Sequence, residues 1–115
     1  MSDTLKLKKD DYLIREGEQS TQMFYLQSGT VGVFKIKGNI EQQIGSIYSG
    51  EIVGEMSFLD KEPRSASVKA LSECTLTVIP SDKFEKTMAA MPAWYKALVN
   101  TLLDRLRKAN TRIRV

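Results

Sequence analysis

Histidine is absent from this chain of 115 residues. Without it there are no serine or cysteine triads built on an imidazole base, no helical zinc motif of the metalloprotease type, and few general-base schemes tuned near neutral pH. Cysteine is scarce. Cys74 stands alone, which excludes an intramolecular disulfide framework and a cysteine-rich zinc site. Long apolar runs are missing too, since none approaches the roughly 20 residues needed to span a bilayer. The first dozen residues mix Lys6, Lys8 and Lys9 with Asp3, Asp10 and Asp11, where a secretory signal would place an apolar stretch. The expectation is a soluble, cytoplasmic protein that is not an enzyme, with carboxylate-only chemistry as the catalytic class left open.

What is present fits one domain over residues 1–115. At 42% apolar and 27% charged residues, the chain can bury a core unaided by metal or disulfide. Its net charge of +3 is too small to argue for nucleic acid. The charge is unevenly placed, however. Residues 93–115 carry Lys96, Arg105, Arg107, Lys108, Arg112 and Arg114 against Asp104, a net of +5, which leaves −2 for the first 92 residues. Basic helix ends also complement the helix dipole, so this tail has a bland reading beside the functional one.

The body reads as short strands punctuated by glycine: Tyr12-Leu13-Ile14, Met23-Phe24-Tyr25-Leu26, and residues 30–36, 40–47, 65–70 and 74–79. Many short strands without intervening long helices predict a small antiparallel barrel or jelly roll. The period then changes. A helix is predicted from Pro80-Ser81-Asp82 to near Met91, with Asp82 and Glu85 as a capping pair, and Pro92 suits the first turn of a second, longer helix. In that helix Val99, Leu102, Leu106, Ala109 and Ile113 follow a heptad-like spacing, with Leu98 and Leu103 beside it. One stripe would pack on the barrel and the other on a second copy. Trp94 and Tyr95 are expected in the core, as are Cys74, Met23, Met56, Met88 and Met91.

The segment with chemical content is Gly50-Glu51-Ile52-Val53-Gly54-Glu55-Met56-Ser57-Phe58-Leu59, followed by Pro63-Arg64-Ser65-Ala66. Two glycines four apart allow a close backbone approach, and residues 55–59 suit one short helical turn whose free N–H groups favour an anion. Arg64 offers a planar fork for phosphate and Ser65 a hydroxyl beside it. Glu55 can accept from sugar hydroxyls, as a carboxylate does on ribose in dinucleotide sites. The pattern describes a pocket for a compact phosphate-bearing sugar. Taken singly, Arg64 could equally be a surface arginine paired with Glu55 or Glu62.

Gly54-Glu55-Met56-Ser57-Phe58-Leu59 with Pro63-Arg64-Ser65-Ala66 resembles the phosphate-binding cassette of the cyclic nucleotide-binding domain family, which includes the catabolite activator protein and the regulatory subunits of cyclic AMP-dependent kinase. Ile14-x-Glu16-Gly17 and Met23-Phe24-Tyr25-Leu26-x-x-Gly29 fall where that family's pattern expects them. The resemblance implies a mainly β fold with flanking helices. This is an eight-stranded antiparallel β-roll, related to jelly rolls and cupins, over about residues 1–80 with its cassette at 50–66. A short helix and a long C-terminal helix follow at 81–115. It also implies roles. Glu55 accepts from the ribose 2′-OH, Arg64 pairs with the cyclic phosphate, Ser65 adds a hydrogen bond, and Gly54, Met56, Ser57 and Ala66 line the ligand. The final helix covers the base, with Asn110, Thr111 and Arg107 as candidates.

On this reading the chain is a bacterial-type, non-catalytic sensor needing no cofactor. Its ligand is cyclic AMP, with cyclic GMP second because Ser65 stands where a threonine often accompanies cyclic GMP use. The expected partners are a second copy through the last helix and an unidentified effector, with no membrane and no nucleic acid. Ending at Val115, the chain would have no residues for a helix-turn-helix. The expectation is either a free-standing sensor or a segment of a longer protein. The rivals are a docking module with a vestigial pocket, a nucleic-acid binder or fragment of a DNA-binding regulator, and a cupin-like enzyme.

Overall fold

The computed structural model describes residues 3–109. In chain order these form β1 (Thr4–Leu7), β2 (Tyr12–Ile14), β3 (Gln22–Ser28), β4 (Thr30–Lys37), β5 (Ile40–Tyr48), β6 (Ile52–Val53), α1 (Glu55–Asp60), β7 (Ser67–Ala70), β8 (Cys74–Pro80), α2 (Ser81–Ala89) and α3 (Ala93–Ala109). The strands make two four-stranded sheets, ordered β1-β8-β3-β6 and β2-β7-β4-β5, with every pair antiparallel. This is the β-roll expected from the resemblance.

Period-two alternation explains the core. Phe24 and Leu26 on β3, Val31 and Val33 on β4, Val68 and Ala70 on β7, and Leu76 on β8 point between the sheets, where Ile14, Val53, Ala66 and Cys74 join them. Gly29 makes the β3–β4 turn with φ near +95°, and a Cβ there would lie 2.3 Å from the Glu73 carbonyl. Only glycine satisfies both demands. In the β4–β5 ladder Val33 faces Gly45 while Phe34 faces Gln43, so Ile44 is an extra, bulged residue. Gln43 Nε2 bridges this bulge by donating to the Gly45 carbonyl at 3.2 Å and to Ser46 Oγ at 3.1 Å. The device blunts the free edge of the second sheet.

Several expectations need correcting. β1 and β6 were not legible as strands, and β7 begins at Ser67 rather than Ser65. α2 is capped by Pro80 in extended conformation with no side-chain cap, so Asp82 and Glu85 lie inside the helix and form no capping pair. Pro92 stands just before α3, its carbonyl accepting from the amides of Tyr95 and Lys96. Trp94 is 69% exposed and packs edge-on against Tyr95, also exposed, instead of entering the core. Met23 and Met56 are buried, while Met88 and Met91 are only partly so.

The two stripes of α3 are regrouped. Lys96, Val99, Leu103 and Arg107 face inward to differing depths, while Tyr95, Leu98, Leu102 and Leu106 are exposed. Val99 and Leu103 are four apart, as are Leu98 and Leu102, and a straight helix puts each such pair on one face. Ile113 lies outside the described residues. Among the described residues no helix is long and apolar enough to cross a membrane.

Candidate functional site

The cassette hangs between β6 and β7, and the roll fixes both of its ends. The turn before β6 docks on β3, with Gly50 N donating to the Leu26 carbonyl at 2.8 Å and Leu26 N donating to the Glu51 carbonyl at 2.9 Å. Gly54 then adopts φ near +81° and starts α1 with no side-chain cap. A Cβ at this position would fall 2.6 Å from Arg64 Nη1 and 3.0 Å from Ile14 Cδ1. Glycine is therefore required twice over here, by its conformation and by the arginine pressed against it.

α1 buries Met56, Ser57 and Phe58 and ends at Lys61, a left-handed residue whose amide donates to the Ser57 carbonyl. Phe58 meets Phe84 of α2 edge-to-face, with ring centroids 5.5 Å apart.

Arg64 is 4% exposed. Its Nη1 donates to the Gly54 carbonyl at 2.7 Å and its Nη2 to the Gln22 carbonyl. Both partners are neutral, so the guanidinium keeps its full charge within the roll. Burial lowers the proton affinity of Arg64, and the fields of Glu18 and Glu55 oppose that change.

Glu55 is half-buried. Desolvation pushes its carboxyl above the usual range. A backbone N–H bond and the Arg64 charge pull it back, while Glu51 pushes it further up. Ser65 is half-buried, with its carbonyl accepting from Lys35 Nζ of β4, and Ala66 is fully buried. Lys35 also faces Glu16 at 3.7 Å. The structure thus brings Gly54, Glu55 and Arg64 together, with Met56 and Ser57 on α1 and Ser65 and Ala66 leading into β7.

A cavity of about 360 Å3 adjoins the guanidinium, lined by Ile14, Phe24, Glu18, Gln22 and Arg64 among others. Arg107 lies on the inward face of α3. Its Nε donates to Asp60 Oδ1 at the end of α1, and its Nη1 reaches Asp104 Oδ1 at 3.4 Å. Asn110 and Thr111 lie outside the described residues. Gln22, Lys35 and Asp60 were not singled out from sequence: a backbone carbonyl has no signature in side-chain identity, and Lys35 and Asp60 meet partners 30 and 47 residues away. Among the described residues no cluster of three or more His, Cys, Asp or Glu side chains could hold a metal ion.

The family profile described as a cyclic nucleotide-binding domain matches residues 4–91. The chain belongs to the cyclic nucleotide-binding domain family. Its sequence is 35% identical over 96 residues to the human potassium/sodium hyperpolarization-activated cyclic nucleotide-gated channel 4, covering 84% of this chain and 8% of the channel. The cAMP-dependent protein kinase regulatory subunit of Emericella nidulans is 33% identical over 86 residues, 75% of this chain and 20% of the subunit. This cyclic nucleotide-binding domain thus spans a fifth or less of those two relatives. The half-site-occupied form of the EAL enzyme Bd1971 overlays with a TM-score of 0.83 at 27% identity, covering 96% of this chain and 99% of that one. The cAMP-bound and cGMP-bound forms of that enzyme overlay at TM-scores of 0.73 and 0.76, with 28% and 27% identity. Each covers 92% of this chain, and 29% and 28% of theirs.

Proposed function

We propose that this domain is a non-catalytic cyclic nucleotide sensor that prefers cyclic AMP and accepts cyclic GMP as a second ligand. The carrying observation is the Arg64 fork, buried and bonded to two neutral carbonyls. A cation withdrawn from water is costly unless an anion meets it, and a cyclic phosphate supplies one negative charge at that point. Ser65 and the backbone of Gly54, Met56, Ser57 and Ala66 line the phosphate and sugar, and Glu55 accepts from the ribose 2′-OH. That both cyclic nucleotides occur in solved forms of Bd1971 supports recognition through the shared ribose and cyclic phosphate. The preference for cyclic AMP rests on Ser65. Residues 1–115 act as one unit, in which α3 closes over the base and signals to an effector.

The exposed stripe of Tyr95, Leu98, Leu102 and Leu106 supports a second reading, that of a homodimer. Its spacing of three, four and four keeps these side chains on one helix face, and a second copy of the same helix is the occupant proposed to cover it. Leu102→Glu is expected to shift the molar mass by light scattering from dimer to monomer; an unchanged mass removes the dimer.

The ligand reading is tested by calorimetric titration with cyclic AMP, cyclic GMP and linear 5′-AMP. Binding of the cyclic forms and rejection of 5′-AMP is the expected outcome. Arg64→Ala is expected to cost about 2–5 kcal/mol of that binding. Glu55→Ala should weaken cyclic AMP but hardly affect its 2′-deoxy analogue. A folded protein that binds none of the three ligands would overturn the reading in favour of a docking module.

A further inference from the structure

Residues 62–64 belong to no strand or helix, so nothing in the cassette's own secondary structure fixes the backbone of Arg64. A long side chain with several free torsions aims its fork reliably only when its Cα is held. The holding comes from the connection between β2 and β3. Ser20 Oγ donates to the Glu62 carbonyl at 2.5 Å, and Glu16 N donates to Ser67 Oγ at 2.9 Å. Between them, Arg64 N donates to the Glu18 carbonyl at 2.9 Å, and Gly17 N donates to the Arg64 carbonyl at 2.8 Å. Both main-chain groups of Arg64 are therefore tied to two adjacent residues of one turn. The Gln22 carbonyl, at the start of β3 where that connection ends, takes its Nη2.

That turn is closed by Glu18. Its amide donates to the Arg15 carbonyl at 3.1 Å, and its carboxylate Oε1 accepts from the Arg15 amide at 2.7 Å. Arg15 is anchored in turn, its guanidinium lying 4.0 Å above the Tyr12 ring of β2. Glu18 also lines the cavity beside Arg64.

We propose that Glu18 is a positioning residue for Arg64: its carboxylate locks the β2–β3 turn, and the locked turn fixes where the buried fork points. The inference rests on the reading of Arg64 as the phosphate ligand. What it adds is that ligand affinity depends on a solvent-exposed carboxylate outside the cassette, acting through hydrogen-bond acceptance rather than charge.

The test compares Glu18→Gln with Glu18→Met in the full chain. The two side chains are similar in length, and only glutamine retains an acceptor for the Arg15 amide. Glu18 is exposed, so neither change endangers the core. In the ligand-free protein, amide exchange of Arg64 and Gly17 should be 3- to 10-fold faster in E18M and near wild type in E18Q, with Leu76 unchanged in both. Cyclic AMP affinity should follow the same order. Native protection of Arg64 in E18M would overturn the proposal. So would equal loss in E18Q and E18M, which would assign the effect to charge. If the wild-type protein fails to bind cyclic nucleotides, the functional reading falls, while the exchange data still decide the role of Glu18.

Discussion

Asp60, the last residue of α1, accepts a hydrogen bond from Arg107 Nε, and this ion pair joins the cassette to the second half of α3. The Asp60 side chain is 8% exposed and that of Arg107 35%, so the contact is better shielded than an ordinary surface pair. Asp60→Ala and Arg107→Ala are each expected to lower stability by about 1.5 kcal/mol. The double variant should be little worse than either single one, giving a coupling near 1 kcal/mol in a double-mutant cycle. Additive losses would show that the two residues act separately.

Gly54→Ala should be costly on two counts. Alanine at φ near +81° is strained, and its Cβ would displace the fork of Arg64. The expected loss is about 1–3 kcal/mol in denaturant titrations, accompanied by at least tenfold weaker cyclic nucleotide binding.

Lys61→Gly should go the other way. Lys61 holds φ near +57° to terminate α1, a conformation that glycine adopts without strain. The Lys61–Glu85 pair it would lose is exposed and 4.0 Å long, and such pairs contribute little. A gain of about 0.5 kcal/mol is expected, read as a small rise in Tm.

Glu55 makes a pH-dependent prediction. Because burial raises its carboxyl in the folded state, the folded protein holds this proton more tightly than the unfolded chain. Its contribution to stability is fully present below the unfolded value and is lost as pH rises through the folded one. At neutral pH the ionised group therefore costs stability, and Glu55→Gln should melt above wild type at pH 7. The advantage should shrink toward pH 4. A constant difference across that range would separate the effect from ionisation.

Much of the roll was legible because β3, β4, β5 and β8 are long enough to show alternation, and because glycines punctuate the turns beside β3, β4 and β5. β6 has two residues and β1 four, too few for a period to emerge. In α3, apolar residues are dense enough to draw more than one stripe through. Burial of Leu103 beside exposure of Leu102 depends on how the helix is rotated against the roll, which no spacing encodes. The cassette was readable because its side chains are contiguous in the chain. Its supports were not: Gln22 and Glu18 serve Arg64 through main-chain carbonyls, and any residue type can offer those.

The strand order has a consequence for how the molecule is made. β8 lies between β1 and β3, and β7 lies between β2 and β4, so the later strands fill the interior of both sheets. While the chain grows from the ribosome, β1 and β2 must wait for β8 and β7, and the β4–β5 hairpin is the long pairing available early. Such non-local closure is slow and leaves unpaired strands exposed to neighbouring chains. The roll can close only after Pro80 has emerged, and α3 is synthesised later still. The helix that would carry the signal is thus made only after the roll against which it packs has become able to close.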